Sequence, residues 1–180
     1  MNRRMIVYVL GILLLCEAGL LLFPTAVALI FGENVVTSFL FSIAILVICG
    51  FIFVKCKPKD TTIYARDGLI IVSLGWIVLS LFGALPFFLS GEIPHYIDAV
   101  FETVSGFTTT GSSILSNVEA LSKSMLFWRS FTHWIGGMGV LVFVMAVLPL
   151  SGGGGDIHLM RAESPGPTVE KLVPRSSKSA

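Results

Sequence analysis

Charge is scarce in this chain: 13% of its 180 residues are Asp, Glu, Lys or Arg, against 54% that are hydrophobic. A soluble domain needs a polar surface that this composition cannot furnish, and a mean hydropathy of +0.89 agrees, so the chain reads as a membrane protein. Neither sign of charge is in excess. A formal net charge of +1 and a pI of about 7.7 give no basic face for nucleic acid and no acidic tail. Cysteine is also rare. Cys16, Cys49 and Cys56 lie in or beside apolar runs, without the paired spacing of a zinc or redox site, and read as packing residues. His95, His133 and His158 stand in separate segments with no HExxH pattern, which gives metal or general-base chemistry little support. The SGGGGD stretch from Ser151 to Asp156 lacks the Lys-Ser/Thr ending of a phosphate-binding loop and reads as a flexible link.

Long apolar runs are what the chain has instead. They extend from Met5 to about Phe31, Val35 to Val54, Gly68 to Leu89 and about Met125 to Leu150. Each reaches the roughly 20 residues that cross about 30 Å of hydrocarbon. Ala26-Val27-Ala28 after Arg3 and Arg4 imitates a signal-peptide cleavage site, but the run exceeds the roughly 7 to 15 residues of an h-region and contains Glu17, so the first run is expected to stay as a span. With the N-terminus in the cytoplasm, Arg3, Arg4, Lys55, Lys57, Lys59, Arg66, Arg161, Lys171, Arg175 and Lys178 share one side, and only Lys123 and Arg129 fall opposite. The positive-inside rule therefore places both termini in the cytoplasm.

The insert between the third and fourth runs, Ser90 to Ser124, is too apolar in its middle for an ordinary outer loop and too short there to cross. About Pro94 to Gly106 fits a re-entrant half-helix of about 18 Å. Asp98, Glu102 and Ser105 recur on one face, and acidic residues early in the helix suit the positive end of its dipole. Thr108, Thr109 and Thr110 follow, a β-branched run that favours extended backbone, closed by Gly111, which is free to take positive φ. Extended backbone at membrane depth is tolerated where it lines a watery cavity, and its carbonyls can replace the water shell of a monovalent cation. The plainer alternative is a polar outer turn, since Thr, Ser and Gly are common in loops. The apolar Val100, Phe101, Val104 and Phe107 just ahead of the tip weigh against it.

Other residues carry weaker signals. Gly136, Gly137 and Gly139 read as close helix packing, with a hinge as the alternative. Arg129 reads as a structural partner of Glu102 or Glu119. Glu17, at mid-span, reads as a neutral or hydrogen-bonded packing carboxyl, although an ionisable group at such depth is by default a functional candidate. A membrane hydrolase using Ser105 or Ser112 with His133 lacks an acid-base pair at a defined spacing.

DAVFETVSGFTTTGSS, then FWRSFTHWIGGMGVLVFVMAVLPL, then RAESPGP, together with RDG at Arg66 to Gly68, resemble the Trk/Ktr/HKT potassium transporter family, in particular the N-terminal portion of its TrkH-like membrane subunits. The resemblance implies an all-α integral membrane fold in the cell inner membrane. Residues 1–60 would be a leading transmembrane hairpin lying outside the pore, 61–150 the first span, half-helix, filter, span repeat, and 151–180 a cytoplasmic loop toward a second repeat. Four such repeats in one polypeptide build the family's pore, so the chain is expected to be a fragment that conducts only when completed by the other repeats or by self-assembly; a non-conducting truncated membrane protein is the alternative. Thr108, Thr109, Thr110, Gly111 and Ser112 would supply one filter strand, with potassium at Thr109 and Thr110. In related plant transporters a serine at the position of Gly111 accompanies sodium preference, so Gly111 points to potassium. The implied partners are potassium as cargo, membrane lipid and a cytosolic ring of nucleotide-binding regulatory subunits of the TrkA type, with no cofactor, no nucleic acid and no enzyme activity.

Overall fold

The computed structural model describes residues 3–58 and 65–147, and among them regular structure is helical, with no strand. The helices are α1 Arg3–Leu20, α2 Leu22–Phe31, α3 Val36–Val54, α4 Ala65–Gly83, α5 Leu85–Ser90, α6 Tyr96–Phe107 and α7 Lys123–Val147, with a 3₁₀ turn at Val118–Ala120. The 151–180 loop and the end of the fourth run at Leu148 to Leu150 lie outside the described residues.

Two of the expected spans are each built from a pair of helices. The first is interrupted at Leu21 and the third at Ala84, in both cases just ahead of a proline, Pro24 or Pro86. Proline has no N–H for the carbonyl four residues back, and its ring crowds that carbonyl, so the axis bends there. The ladder continues around the first bend through Leu21 N–H to the Glu17 carbonyl at 2.9 Å and Thr25 N–H to the Leu21 carbonyl at 3.2 Å. Among the described residues three stretches are long and apolar enough to cross a membrane: Arg3–Phe31, Val36–Val54 and Ile70–Ser90. The fourth expected span is α7, which is broken at Gly139, where φ is 78° and ψ 143°.

Glycine lets the leading hairpin close. A Cβ on Gly11 would lie 2.9 Å from the Gly50 carbonyl oxygen and one on Gly50 would lie 3.1 Å from that of Gly11, so only bare backbone allows α1 and α3 this approach. The hairpin is not a detached appendage, because α1 also packs on α4 and α2 on α7. Leu13, Leu14, Leu46 and Ile71 are buried in the core, while Leu40, Phe41, Ile48, Phe51 and Ile52 of α3 stay exposed, as suits a helix facing hydrocarbon.

Candidate ion-binding site

The half-helix expected from about Pro94 to Gly106 is α6, Tyr96–Phe107, whose 12 residues span about 18 Å. It starts later than expected because His95 holds the cap position in extended conformation, φ −99° and ψ 124°, leaving Pro94 outside the helix. The Tyr96 hydroxyl ties the first turn to α4 by donating to the Leu81 carbonyl at 2.7 Å. Small residues seat the rest. A Cβ on Gly106 would collide with the Thr132 hydroxyl, and one on Gly136 with the Phe107 carbonyl, so α6 and α7 touch through glycine. Of the glycines expected to pack in α7, Gly136 does so, Gly137 has open space apart from a distant Thr109 methyl, and Gly139 is the break. Trp128, fully buried, donates its indole N–H to the Gly83 carbonyl at 2.9 Å and so fixes α7 to α4 behind the half-helix.

The end of α6 corrects the expectation of extended backbone from Thr108 onward. Thr108 is helical, at φ −81° and ψ −2°, and Thr109 is left-handed, at φ 56°. Thr110 N–H donates to the Ser105 carbonyl at 3.0 Å and Thr109 N–H to the Gly106 carbonyl at 2.9 Å. This is a Schellman closure with threonine where glycine is usual. The end of α2 makes the same pair of bonds around Gly32, at φ 66°, with Glu33 N–H on the Ala28 carbonyl and Gly32 N–H on the Leu29 carbonyl. Helical hydrogen bonding overrides the β-branched preference of the first two threonines, and the chain leaves the helix only at Thr110. Gly111 then takes φ 76° with open space around it.

Thr108 to Ser113 are exposed, yet their conformation is held. The Ser105 hydroxyl donates to the Ser112 carbonyl at 2.5 Å, the Thr108 and Thr110 hydroxyls are 2.8 Å apart, and the Thr109 hydroxyl donates to the Thr108 carbonyl at 2.7 Å. Glu102, buried in the half-helix, accepts the Ser113 hydroxyl at 2.6 Å and the Ile114 N–H at 3.2 Å. Arg129 Nε of α7 reaches the same carboxylate at 2.8 Å. Of the two partners considered for Arg129, the structure thus brings Glu102 to it. The Glu102–Ser105 face read from the helical spacing is the face that grips the loop. Ser105 and Ser112 bond each other, and His133 Nδ1 lies 2.9 Å from the Arg129 carbonyl, so neither serine is joined to His133 as a hydrolase would need.

One contact the sequence did not reveal ties the hairpin to α7. Glu33 Oε1 accepts the Lys123 N–H at 2.7 Å, and Oε2 accepts the Ser124 N–H at 3.1 Å and the Ser124 hydroxyl. These are N–H groups that the start of a helix leaves without intrahelical partners, and a carboxylate there also meets the positive end of the dipole. Burial pushes the Glu33 carboxyl up, but the hydrogen bonds from Ser124 and Lys123 and the Lys123 charge outweigh it, and the group titrates below its ordinary value. The Lys123 ammonium sits 4.1 Å over the Phe31 ring, and Glu92 Oε2 accepts the Ser122 N–H at 3.0 Å. Polar residues heading an apolar run were the available signal, but nothing local names a carboxylate so far away in sequence.

A family profile described as TrkH, cation transport protein, matches residues 32–179. The chain belongs to the TrkH family of cation transport proteins. Over 183 residues it is 37% identical to the Trk system potassium uptake protein TrkH of Halomonas elongata, covering 100% of this chain and 38% of that protein. The Escherichia coli K12 protein of the same name is 38% identical over 185 residues, again covering 100% of this chain and 38% of the relative. The crystal structure of the potassium transporter TrkH from Vibrio parahaemolyticus superposes with a TM-score of 0.74 at 34% identity, over 91% of this chain and 36% of that one. The chain therefore spans about 38% of the length of these curated TrkH relatives, and the shared all-α membrane fold agrees with the helical order seen here.

Proposed function

We propose that this chain supplies the first pore repeat of a potassium uptake transporter, with Thr108, Thr109, Thr110, Gly111 and Ser112 as its filter segment. The observation that carries the reading is a half-length helix ending in a clamped loop. The negative end of the α6 dipole lies at this exposed loop and favours a cation there. Hydrogen bonds engage the Thr108 and Ser112 carbonyls, and among the described residues those of Thr109 and Thr110 accept none, which supports potassium coordination at Thr109 and Thr110.

In this reading residues 1–60 are the leading hairpin, 61–150 the repeat and 151–180 a cytoplasmic connection. The protein lies in the inner membrane with both termini cytoplasmic, takes no cofactor, performs no enzyme chemistry and docks a TrkA-type nucleotide-binding ring on its cytoplasmic face. One filter segment cannot surround an ion, so three more must come from further repeats or further copies. The names of the relatives support potassium as the cargo.

The test is growth of a potassium-uptake-deficient cell at low external potassium. The 180-residue chain gives no rescue as a monomer, and joined to the three remaining repeats it does. Rescue by a monomeric chain, or a completed transporter that passes no potassium, would overturn the proposal.

A further inference from the structure

Glu17 lies in the first span, one turn before the bend at Leu21, and is 1% exposed. Among the described residues neither of its carboxyl oxygens has a hydrogen-bond partner. The hydrogen-bonded form of the packing reading is therefore not what the structure contains. The side chain is aimed at the place where α4 meets the half-helix: a Cβ on Gly83 would lie 2.7 Å from Glu17 Oε1, 3.0 Å from the Thr103 methyl and 3.3 Å from the Phe107 ring. Gly83 is the residue whose carbonyl Trp128 holds. The Thr103 hydroxyl is committed to the Ala99 carbonyl at 2.8 Å and offers the carboxyl nothing. One carboxyl, α4, α6 and α7 thus meet around a single glycine.

Few ionisable groups stand on the elements around it. Cys16 is its neighbour on α1, and α3 carries only Cys49. α2 carries none, and on α4 Arg66 and Asp67 lie in the opposite, N-terminal turn. On α6 the groups are Tyr96, Asp98 and Glu102, of which Tyr96 bonds the Leu81 carbonyl and Glu102 is taken by Arg129 of α7. His133 of α7 is placed against the Arg129 carbonyl. No cation balances Glu17 among the described residues. A carboxylate in such surroundings, buried and without a partner, is costly to keep charged.

We propose that Glu17 is a proton-binding site behind the pore half-helix, loaded in the state described here, whose occupancy sets the seat of α6 and with it the filter loop. On unloading, the carboxyl O–H bond breaks, the proton passes to water and a carboxylate remains. That charge requires hydration, and the Gly83–Thr103 contact must part to admit it. α6 then shifts against α4, and the loop that Ser105 and Glu102 grip moves with it. The link to the filter rests on the pore reading; the proton site does not.

The experiment is infrared spectroscopy of the complete transporter in lipid, titrated from neutral to alkaline, with potassium uptake measured on the same preparations. A carbonyl stretch of a buried carboxylic acid is expected at neutral pH, absent in Glu17→Gln and lost on alkaline titration. Uptake falls as the band is lost, by a factor in the roughly 5- to 150-fold range of two-site couplings, and Glu17→Gln levels that fall. No acid band overturns the proton site, and a carboxylate band that responds to sodium assigns a bound cation instead. Identical uptake profiles in the two proteins overturn the coupling. Absence of uptake in the unmodified transporter counts against the pore reading and leaves the band to decide the proton site. If Glu17→Gln fails to insert, Glu17→Asp must shift the band, and an unshifted band overturns the assignment.

Discussion

Arg129 Nε and Glu102 Oε1 stand 2.8 Å apart, joining α7 to the middle of the half-helix, and the same carboxylate holds Ser113 and Ile114 of the loop that follows it. The pair places a cation beside the proposed ion site, yet the bridge spends that charge on Glu102. Removing one partner of a buried pair costs roughly 3–5 kcal/mol, and the lower end applies because the Arg129 side chain is 17% exposed. Arg129→Leu should therefore lower thermal stability and loosen the loop, cutting potassium over sodium selectivity. Glu102→Gln, which keeps an acceptor for Ser113 and Ile114, should lose less. A double-mutant cycle read by thermal melting and competitive uptake tests this, and additive effects would break the proposed link.

Thr109 carries a strain that its counterpart Gly32 does not. A left-handed conformation costs a residue with Cβ roughly 1–2 kcal/mol, and such strain tends to be kept where function requires it. Thr109→Gly should raise stability by about 1 kcal/mol while weakening selectivity, because the loop gains freedom. Thr109→Val keeps the branched shape and loses only the bond to the Thr108 carbonyl, so it should be the milder change for selectivity. Melting curves with mixed-ion uptake decide; a less stable Thr109→Gly protein would contradict the strain.

The Glu33 contact has a defined pH dependence. Its folded-state titration lies below the unfolded one, so its stabilisation is present above the unfolded carboxyl range and is lost as pH falls through the folded value. Melting temperature should drop on the acid side, and Glu33→Gln should flatten that limb by lowering the melting temperature at neutral and alkaline pH toward the acid-side value. An acid limb of equal depth in Glu33→Gln would assign the dependence to other groups.

Orientation is open to direct chemical labelling. Asn117 is exposed beside the 3₁₀ turn, and the proposed topology puts it on the outer side. Asn117→Cys, in a background lacking the native cysteines, should react with an impermeant thiol reagent added outside intact cells. Reaction only after permeabilisation would reverse the topology and put the proposed filter segment at the inner mouth.

The half-helix was legible because an apolar stretch too short to cross has few uses in a membrane protein. The face carrying Glu102 and Ser105 followed from helical spacing alone. The bends at Leu21 and Ala84 were written in Pro24 and Pro86, but a hydropathy run counts residues and does not register a missing N–H. Thr109 escaped because its intrinsic preference points away from the conformation it holds, and only the carbonyls of Ser105 and Gly106 explain the outcome. Glu33 escaped because its partners lie 90 and 91 residues away.

The central claim, that Thr108 to Ser112 form a potassium filter segment, is tested most directly at Gly111. Its φ is 76°, and among the described residues a Cβ there meets nothing within 4 Å, so the strain of a serine falls on the backbone, at roughly 1–2 kcal/mol. Relaxing that strain turns the neighbouring carbonyls, whose number and field set selectivity. Gly111→Ser in the complete transporter, measured by competitive uptake or reversal potential in mixed potassium and sodium, should insert normally and discriminate less against sodium. An unchanged ratio in a properly inserted protein would remove Thr108 to Ser112 from the filter.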